Sequence, residues 1–308
     1  MKILITGSSG LVGRNVLESS RSASYELLTP KHSELNLLNR SAVENYLRRE
    51  KPDCIIHIAA KVGSVELNLK HPLNFLLENL DMGRNLIIGA YELGIENFIN
   101  ISSACIYPAN MGDEIFSESM AFQGAFEREN EGYATAKSVC AQLCKYIRTE
   151  NPLLNYKTLV PCNMYGCFDN FDSKRAHMIP AAIHKIFQAK KNNSPTVQIW
   201  GNGKARRELM YAGDFAEFVW FAVDNLNSLP DILNVGTGED FTVDECYQTI
   251  AKVLGYGGKF IHDETKPTGM KRRLLNVNLM RSLGWSPKTS LAEGIAKTVN
   301  FYKAHRSE

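Results

Sequence analysis

The run Lys2-Ile3-Leu4-Ile5-Thr6-Gly7-Ser8-Ser9-Gly10-Leu11-Val12-Gly13 limits the folds open to this chain more than any other segment. A short apolar stretch, three glycines at a spacing of three, and an amphipathic continuation describe a strand, a tight turn and a helix. Each glycine has its own physical reason. The first permits a turn that side chains resist. The second lets a ligand's phosphates approach the backbone, and the third lets the helix pack closely on the strand. The helix start then offers free N–H groups and a partial positive charge to an anion. Set between strand and helix, these glycines predict a dinucleotide pyrophosphate site made by Gly7, Ser9, Gly10, Leu11, Val12 and Gly13.

The same alternation continues. Strands are expected at 2–6, 25–28, 53–58, 97–101 and 156–160, and helices near 11–22, 42–50, 73–93 and 132–150. This pattern predicts an α/β fold, a Rossmann-like doubly wound parallel sheet with right-handed crossovers. The runs Cys54-Ile55-Ile56 and Phe98-Ile99-Asn100-Ile101 suit strands covered on both faces. After Tyr165 the texture changes: helices near 179–189, 214–225, 243–254 and 291–305 mix with short strands at 197–200, 233–235 and 259–261. We expect an NADP-binding domain of residues 1–164 and 212–237, and a smaller C-terminal α/β substrate-binding domain of residues 165–211 and 238–308. Ile232-Leu233-Asn234-Val235-Gly236 should return to the main sheet. A chain of 308 residues with 44% hydrophobic content can bury a core of that size.

The residues after the second strand bear on the cofactor. A site for NAD places an acidic residue there to hold the ribose hydroxyl. Here the segment is Thr29-Pro30-Lys31-His32-Ser33, and Lys31 and His32 suit a 2′-phosphate, so NADPH is expected over NADH.

The chemistry is legible at Tyr133-Ala134-Thr135-Ala136-Lys137. Residues four apart share a helix face with Cβ atoms about 5–6 Å apart. An ammonium near 5 Å at an effective dielectric near 20 is worth about 3 kcal/mol, enough to draw a phenol toward proton transfer near neutral pH. Tyr133 is expected to protonate a carbonyl oxygen as hydride arrives, with Ser103, at the end of the fourth strand, bonding the same oxygen. Cys105, two residues on, adds a thiol that a neighbouring cation would turn into a carbon base. Arg207 and the Lys271-Arg272-Arg273 group offer the positive charge that a diphosphate requires.

Net charge +2 and 22% charged residues leave no footprint for nucleic acid or a membrane surface. No apolar run reaches the roughly 20 residues of a membrane span. Met1-Lys2 leads straight into the first expected strand, so no signal peptide is expected. Seven cysteines in neither paired nor metal-binding spacing fit a reducing cytoplasm and no metal; Cys140 and Cys144, four apart on one helix, read as packing rather than as a zinc pair.

These motifs together resemble the extended short-chain dehydrogenase/reductases, and within them the epimerase–reductases of GDP-4-keto-6-deoxy sugars. The likeness runs through Glu34-Leu35-Asn36-Leu37-Leu38, Ala59-Ala60-Lys61-Val62-Gly63, Ser103-Ala104-Cys105-Ile106-Tyr107-Pro108 and Tyr133–Lys137. It continues through Asn163-Met164-Tyr165-Gly166, Asp169-Asn170-Phe171, His177-Met178-Ile179-Pro180 and Asn234-Val235-Gly236-Thr237-Gly238. The resemblance implies a GDP-4-keto-6-deoxy-sugar substrate, epimerised at C3 and C5 and then reduced at C4 by NADPH. It makes Ser103, Tyr133 and Lys137 the reductase triad and Cys105 and His177 the epimerising pair. Asn36, Leu37, Lys137, Asn163 and His177 would line the cofactor, and Asn163, Trp200, Arg207 and Lys266 the substrate. A homodimer built by helices 73–93 and 132–150 is implied too. The rival readings are a relative acting on another GDP-4-keto sugar (a 3,6-dideoxy sugar of the colitose route, or a 6-deoxyheptose) with one epimerisation or reduction alone, and a silent NADP-sensing protein. The chain departs from the pattern at Ser9, where an Arg is usual, at Cys167, where Pro is usual, and at Tyr211-Ala212-Gly213-Asp214.

Overall fold

A computed structural model describes residues 1–109, 112–172, 176–266 and 270–305. The elements, in chain order, are β1 (Lys2–Thr6), α1 (Leu11–Glu18), β2 (Glu26–Leu28), α2 (Arg40–Glu50), β3 (Cys54–His57), α3 (Val65–Lys70), α4 (Pro72–Glu92), β4 (Asn97–Ile101), α5 (Glu131–Glu150), β5 (Asn155–Pro161) and β6 (Asn163–Tyr165). They continue with α6 (Met178–Lys191), β7 (Thr196–Trp200), β8 (Arg206–Tyr211), α7 (Ala212–Asp224), β9 (Ile232–Val235), β10 (Asp240–Thr242), α8 (Val243–Leu254), β11 (Lys259–Asp263), β12 (Arg272–Arg273), α9 (Asn278–Ser282) and α10 (Leu291–Ala304).

Six parallel strands form the main sheet in the order β2-β1-β3-β4-β5-β9. The alternation of side chains along each strand feeds two cores. Ile3, Ile5, Ile56, Ile99 and Ile101 pack on the side of α1 and α7, while Leu4, Ile55, Phe98 and Tyr156 pack on the side of α2, α4 and α5. α7 is pinned to α1, because Trp220 Nε1 donates to Val16 O at 3.0 Å and its ring stacks on Tyr25. The Ile232–Val235 segment does return to the sheet, parallel to β5.

The remaining strands form a second layer centred on β8, which pairs with β10 antiparallel and with β12 and β6 in parallel; β7 and β11 make a separate pair. A third core of Ile179, Ile183, Ile199, Ile250, Ile295 and Val299 lies under α6, α8 and α10.

α1 stops at Glu18 rather than near residue 22. Ser19 takes extended geometry and its hydroxyl accepts from Arg21 N, which opens a 3-10 turn over Ser20–Ser24 in place of further helix.

Candidate active site

The chain leaves β1 for β2 on one side and returns to β3 on the other, so the crevice at a topological switch point opens past the carboxyl ends of β1 and β3. The three glycines meet there, each under a different constraint. Gly7 has φ +71°, and a Cβ on it would lie 2.6 Å from Ala59 N, just beyond β3. A Cβ on Gly13 would lie 2.2 Å from Gly7 O, so helix and turn are in contact. Gly10 is different: its Cβ would meet only Gly7 O, at 3.6 Å. Internal packing therefore does not demand glycine at 10, and the space beside it is open to an approach from outside. As N-cap, Gly10 has no side chain to cap α1, so the amides of Leu11, Val12 and Gly13 face the crevice end of the helix without a side-chain partner.

Ser103, Cys105, Tyr133 and Lys137 gather where β4 ends and α5 begins. Ser103 Oγ accepts from Cys105 N at 3.4 Å and caps the 3-10 turn Ala104–Ile106. Lys137 is buried, and its Nζ donates to Ile101 O at 2.8 Å, at the last residue of β4. The same Nζ lies 5.9 Å from the Tyr133 ring centroid. That distance does not draw the phenol down. Burial pushes Tyr133 well above its ordinary value, with nearby Cys105 and Cys140 adding to the rise, and burial also lowers Lys137. Desolvation of the phenolate outweighs one ammonium that is itself desolvated. Tyr133 therefore rests as a neutral phenol, the form an acid must have.

Cys105 is 4% exposed. Burial pushes its thiol up, and a hydrogen bond from Ser103, then the charges of Arg273 and Lys137, pull it partly back. His177 is the N-cap of α6 and an exposed residue, and desolvation lowers its pKa.

The other predicted positions fall into three groups. Trp200, 51% exposed at the end of β7, has Lys266 Nζ at 5.7 Å and Lys185 Nζ at 5.1 Å from its ring centroid. An open indole flanked by two cations suits a flat, anion-bearing ligand; Lys185, on α6, was missed because a lone lysine in an amphipathic helix reads as solvated. Arg207 on β8 lies directly beside Arg273 on β12 in the parallel register. Asn163 on β6 is half-buried and donates to Glu208 O at 3.3 Å. At the far edge, Lys31 and His32 are exposed just past β2, with Lys31 N held by Glu34 at 2.8 Å, and Asn36 accepts from Leu38 N while Leu37 O accepts from Asn85.

A polar row crosses the sheet beneath Lys137. Thr6, His57, Asn100 and Thr158 occupy successive register positions on β1, β3, β4 and β5. Thr6 Oγ1 lies 2.8 Å from His57 Nδ1, and burial followed by the Lys137 charge pushes His57 down to about 3, so it is neutral. Sequence reading passed over His57 because it stands inside an apolar strand. Cys140 and Cys144 are free and buried, and Cys140 Sγ occupies the space beside Gly83. Two departures from the family pattern touch: Cys167 Sγ lies 3.3 Å from Tyr211 Oη.

A glycine turn at the switch point and a Ser, Tyr and Lys gathered at the carboxyl edge define the class, a nucleotide-dependent enzyme of the extended short-chain dehydrogenase/reductase kind. The chain belongs to the NAD dependent epimerase/dehydratase family, whose pattern matches residues 3–236. Over 302 residues it is 45% identical to GDP-L-colitose synthase of Yersinia pseudotuberculosis, covering 98% of each chain. It is 41% identical over 301 residues to GDP-L-fucose synthase of Azorhizobium caulinodans, covering 98% of this chain and 96% of that one. Among solved structures it is similar to a GDP-mannoheptose C4 reductase from Campylobacter jejuni with NADP bound, at TM-score 0.89 and 26% identity over 98% of each chain. No helix among the described residues is long and apolar enough to cross a membrane.

Proposed function

We propose that this protein is an NADPH-dependent epimerase–reductase of a GDP-4-keto-6-deoxy sugar, with GDP-4-keto-6-deoxy-D-mannose as substrate and GDP-L-fucose as product. The observation that carries it is the pairing of a neutral, half-buried phenol, Tyr133, with a buried thiol, Cys105, at one strand end. A reductase alone needs the phenol; the thiol adds a group able to work on carbon.

The residues present fit the cofactor. The glycine turn is open beside Gly10, where a pyrophosphate would approach, the start of α1 offers uncapped amides, and the exposed Lys31 and His32 just past β2 would meet a 2′-phosphate. Ser9, Asn36, Leu37, Asn163 and His177 would complete that surface. When bound, NADPH supplies a hydride. The chain's residues supply the proton chemistry. A 4-keto group acidifies the C–H bonds on both flanking carbons, so Cys105 as thiolate takes a proton from one face and His177 returns one from the other. Ser103 and Tyr133 hold the oxygen on which the enolate's charge collects, and Tyr133 then gives its proton to O4 as C4 is reduced. Lys137 restrains Tyr133 and would hold the nicotinamide ribose. Trp200, Lys185 and Lys266 suit the base, and Arg207 the diphosphate.

The 45% identity to a GDP-L-colitose synthase favours a second reading, a GDP-4-keto-3,6-dideoxy sugar epimerised once. Incubation of each GDP-4-keto sugar with NADPH in deuterium oxide, followed by product NMR, separates them. Cys105→Ser and His177→Gln should lose deuterium at the carbons flanking the ketone while still binding NADPH. Tyr133→Phe should keep exchange and lose reduction. Exchange at the wild-type rate in Cys105→Ser would remove the thiol from the mechanism. Seven free cysteines support a reducing, cytoplasmic setting.

A further inference from the structure

A thiol becomes a useful base only where a cation stabilises its thiolate, and the Ala104–Ile106 turn that bears Cys105 carries none. Two distant segments are drawn to this turn. Phe116 N donates to Leu274 O at 2.9 Å and Phe116 O accepts from Asn276 N at 2.8 Å, which lays the residues after β12 alongside Phe116. Phe116 in turn stacks on Tyr107 with centroids 5.1 Å apart, two residues beyond Cys105. From the other direction, Ala109 N donates to Ala125 O at 2.9 Å and brings the approach to α5 to the same place. The two segments deliver Arg273 and Glu127, and these meet at 2.6 Å between Nη2 and Oε2, their side chains 14% and 12% exposed. Glu127 is fixed in its turn, because Oε1 accepts from Met270 N at 3.0 Å and Oε2 from Asn130 Nδ2 at 3.2 Å.

We propose that Arg273, anchored by Glu127, is the positioning residue that stabilises the Cys105 thiolate and so sets the pH at which the epimerising thiol becomes a base. This rests on the reading of Cys105 as the group that takes the carbon-bound proton. The thiol first loses its own proton to solvent. As the substrate C–H bond breaks, its electron pair moves into the enolate and the proton forms a new S–H bond.

The groups facing the thiol are Ser103 from its own turn, Arg273 from β12, and Lys137 and Tyr133 from α5. Of the two cations, Lys137 is tied to Ile101 O behind Tyr133, whereas Arg273 exerts the larger pull on the sulfur. A guanidinium stays protonated at every working pH, so its influence is constant and the thiol alone titrates.

The test is alkylation of Cys105 by iodoacetamide from pH 6 to 10 in the substrate-free protein, followed at the Cys105 peptide by mass spectrometry. Arg273→Gln should move the midpoint up by about one unit and slow alkylation at pH 8 by about fivefold or more, whereas Arg273→Lys should stay within about half a unit of wild type. An unmoved midpoint in Arg273→Gln overturns the proposal, as does an equal upward move in the Gln and Lys variants, which would signal lost packing instead of lost charge. If Arg273→Gln does not fold, Arg273→His, uncharged above roughly pH 7, takes its place with the same expected move and the same refutation. Alkylation needs no sugar. A wild-type protein that exchanges no deuterium into any GDP-4-keto sugar would therefore sink the proposed function while leaving the Arg273 result readable.

Discussion

Replacing Gly10 and Gly13 one at a time by alanine separates a ligand's demand for glycine from the fold's own. At Gly13 an added Cβ would lie 2.2 Å from Gly7 O and 2.6 Å from Ser8 Cα, both backbone atoms that cannot swing aside. Restoring ordinary contact means moving α1 off the turn by about 1 Å, an overpacking strain of about 3 kcal/mol. In a protein of this size that lowers Tm by roughly 6 °C. At Gly10 the backbone sits at φ −84° and ψ 177°, which alanine adopts freely, and the new methyl meets nothing closer than 3.6 Å. Stability should change by less than about 1 kcal/mol, because alanine's restriction of the unfolded chain is offset by its being a poorer N-cap than glycine. The cofactor should suffer instead. A methyl standing where the pyrophosphate approaches should weaken NADPH at least tenfold, about 1.4 kcal/mol. Thermal denaturation and calorimetric NADPH titration of both variants give the four numbers. Wild-type NADPH affinity in Gly10→Ala would mean that the pyrophosphate does not lie on this turn.

NADPH should exceed NADH by at least about tenfold in kcat/KM, and Lys31→Ala with His32→Ala should erase the difference; equal use by the wild type would refute the cofactor assignment. α4 exposes Leu73 and Leu77 (62% and 46%) and α5 exposes Tyr146 (55%), while Ile87 is fully buried against the sheet. We expect a twofold-symmetric homodimer on that face, seen by light scattering at micromolar concentration, with Leu73→Glu plus Leu77→Glu monomeric. Burial lifts Asp169 from 3.8 to about 7. A carboxyl raised on folding gives stability that is complete below about pH 4 and lost as pH climbs through 7. Asp169→Asn should therefore flatten the fall in Tm between pH 5 and 8; parallel Tm curves for the two proteins would contradict this.

The parts legible in the sequence are those whose physics is local. β1 and β4 fall on the expected residues, and the glycine turn and the Tyr133–Lys137 pair need only short-range spacing to be recognised. The second layer was harder. β8 reads Arg-Arg-Glu-Leu-Met-Tyr, and Glu208 within it is 1% exposed, accepting from Gly238 N and Leu275 N at 2.8 Å each. A buried carboxylate breaks the alternation that betrays a strand, and β12, two residues long, has no period at all. Glu127 and Arg273 lie 146 positions apart, so no window on the sequence could join them. Trp200 was visible because a tryptophan is rare; the Lys185 beside it was not.

The expectation that failed at Tyr133 changes how the site should respond to pH. A single ammonium was expected to draw the phenol down, but desolvation is the largest influence on four groups of the site: it raises Tyr133 and Cys105 and lowers His177 and Lys137. The resting site thus favours neutral forms. In the roles proposed above, that is the working state for reduction, since Tyr133 must hold a proton to give one. For epimerisation it is the idle state, since Cys105 must first lose its proton. The two half-reactions should therefore part company as pH rises. Below the thiol's pKa each unit multiplies the thiolate fraction about tenfold, so deuterium exchange beside the ketone should climb steeply from pH 6 to 9. Reduction of a substrate that needs no epimerisation should stay level over the same range, because the phenol remains protonated throughout. Exchange that is flat from pH 6 to 9 would show that the base is already ionised at rest, and the burial of Cys105 would no longer explain its chemistry.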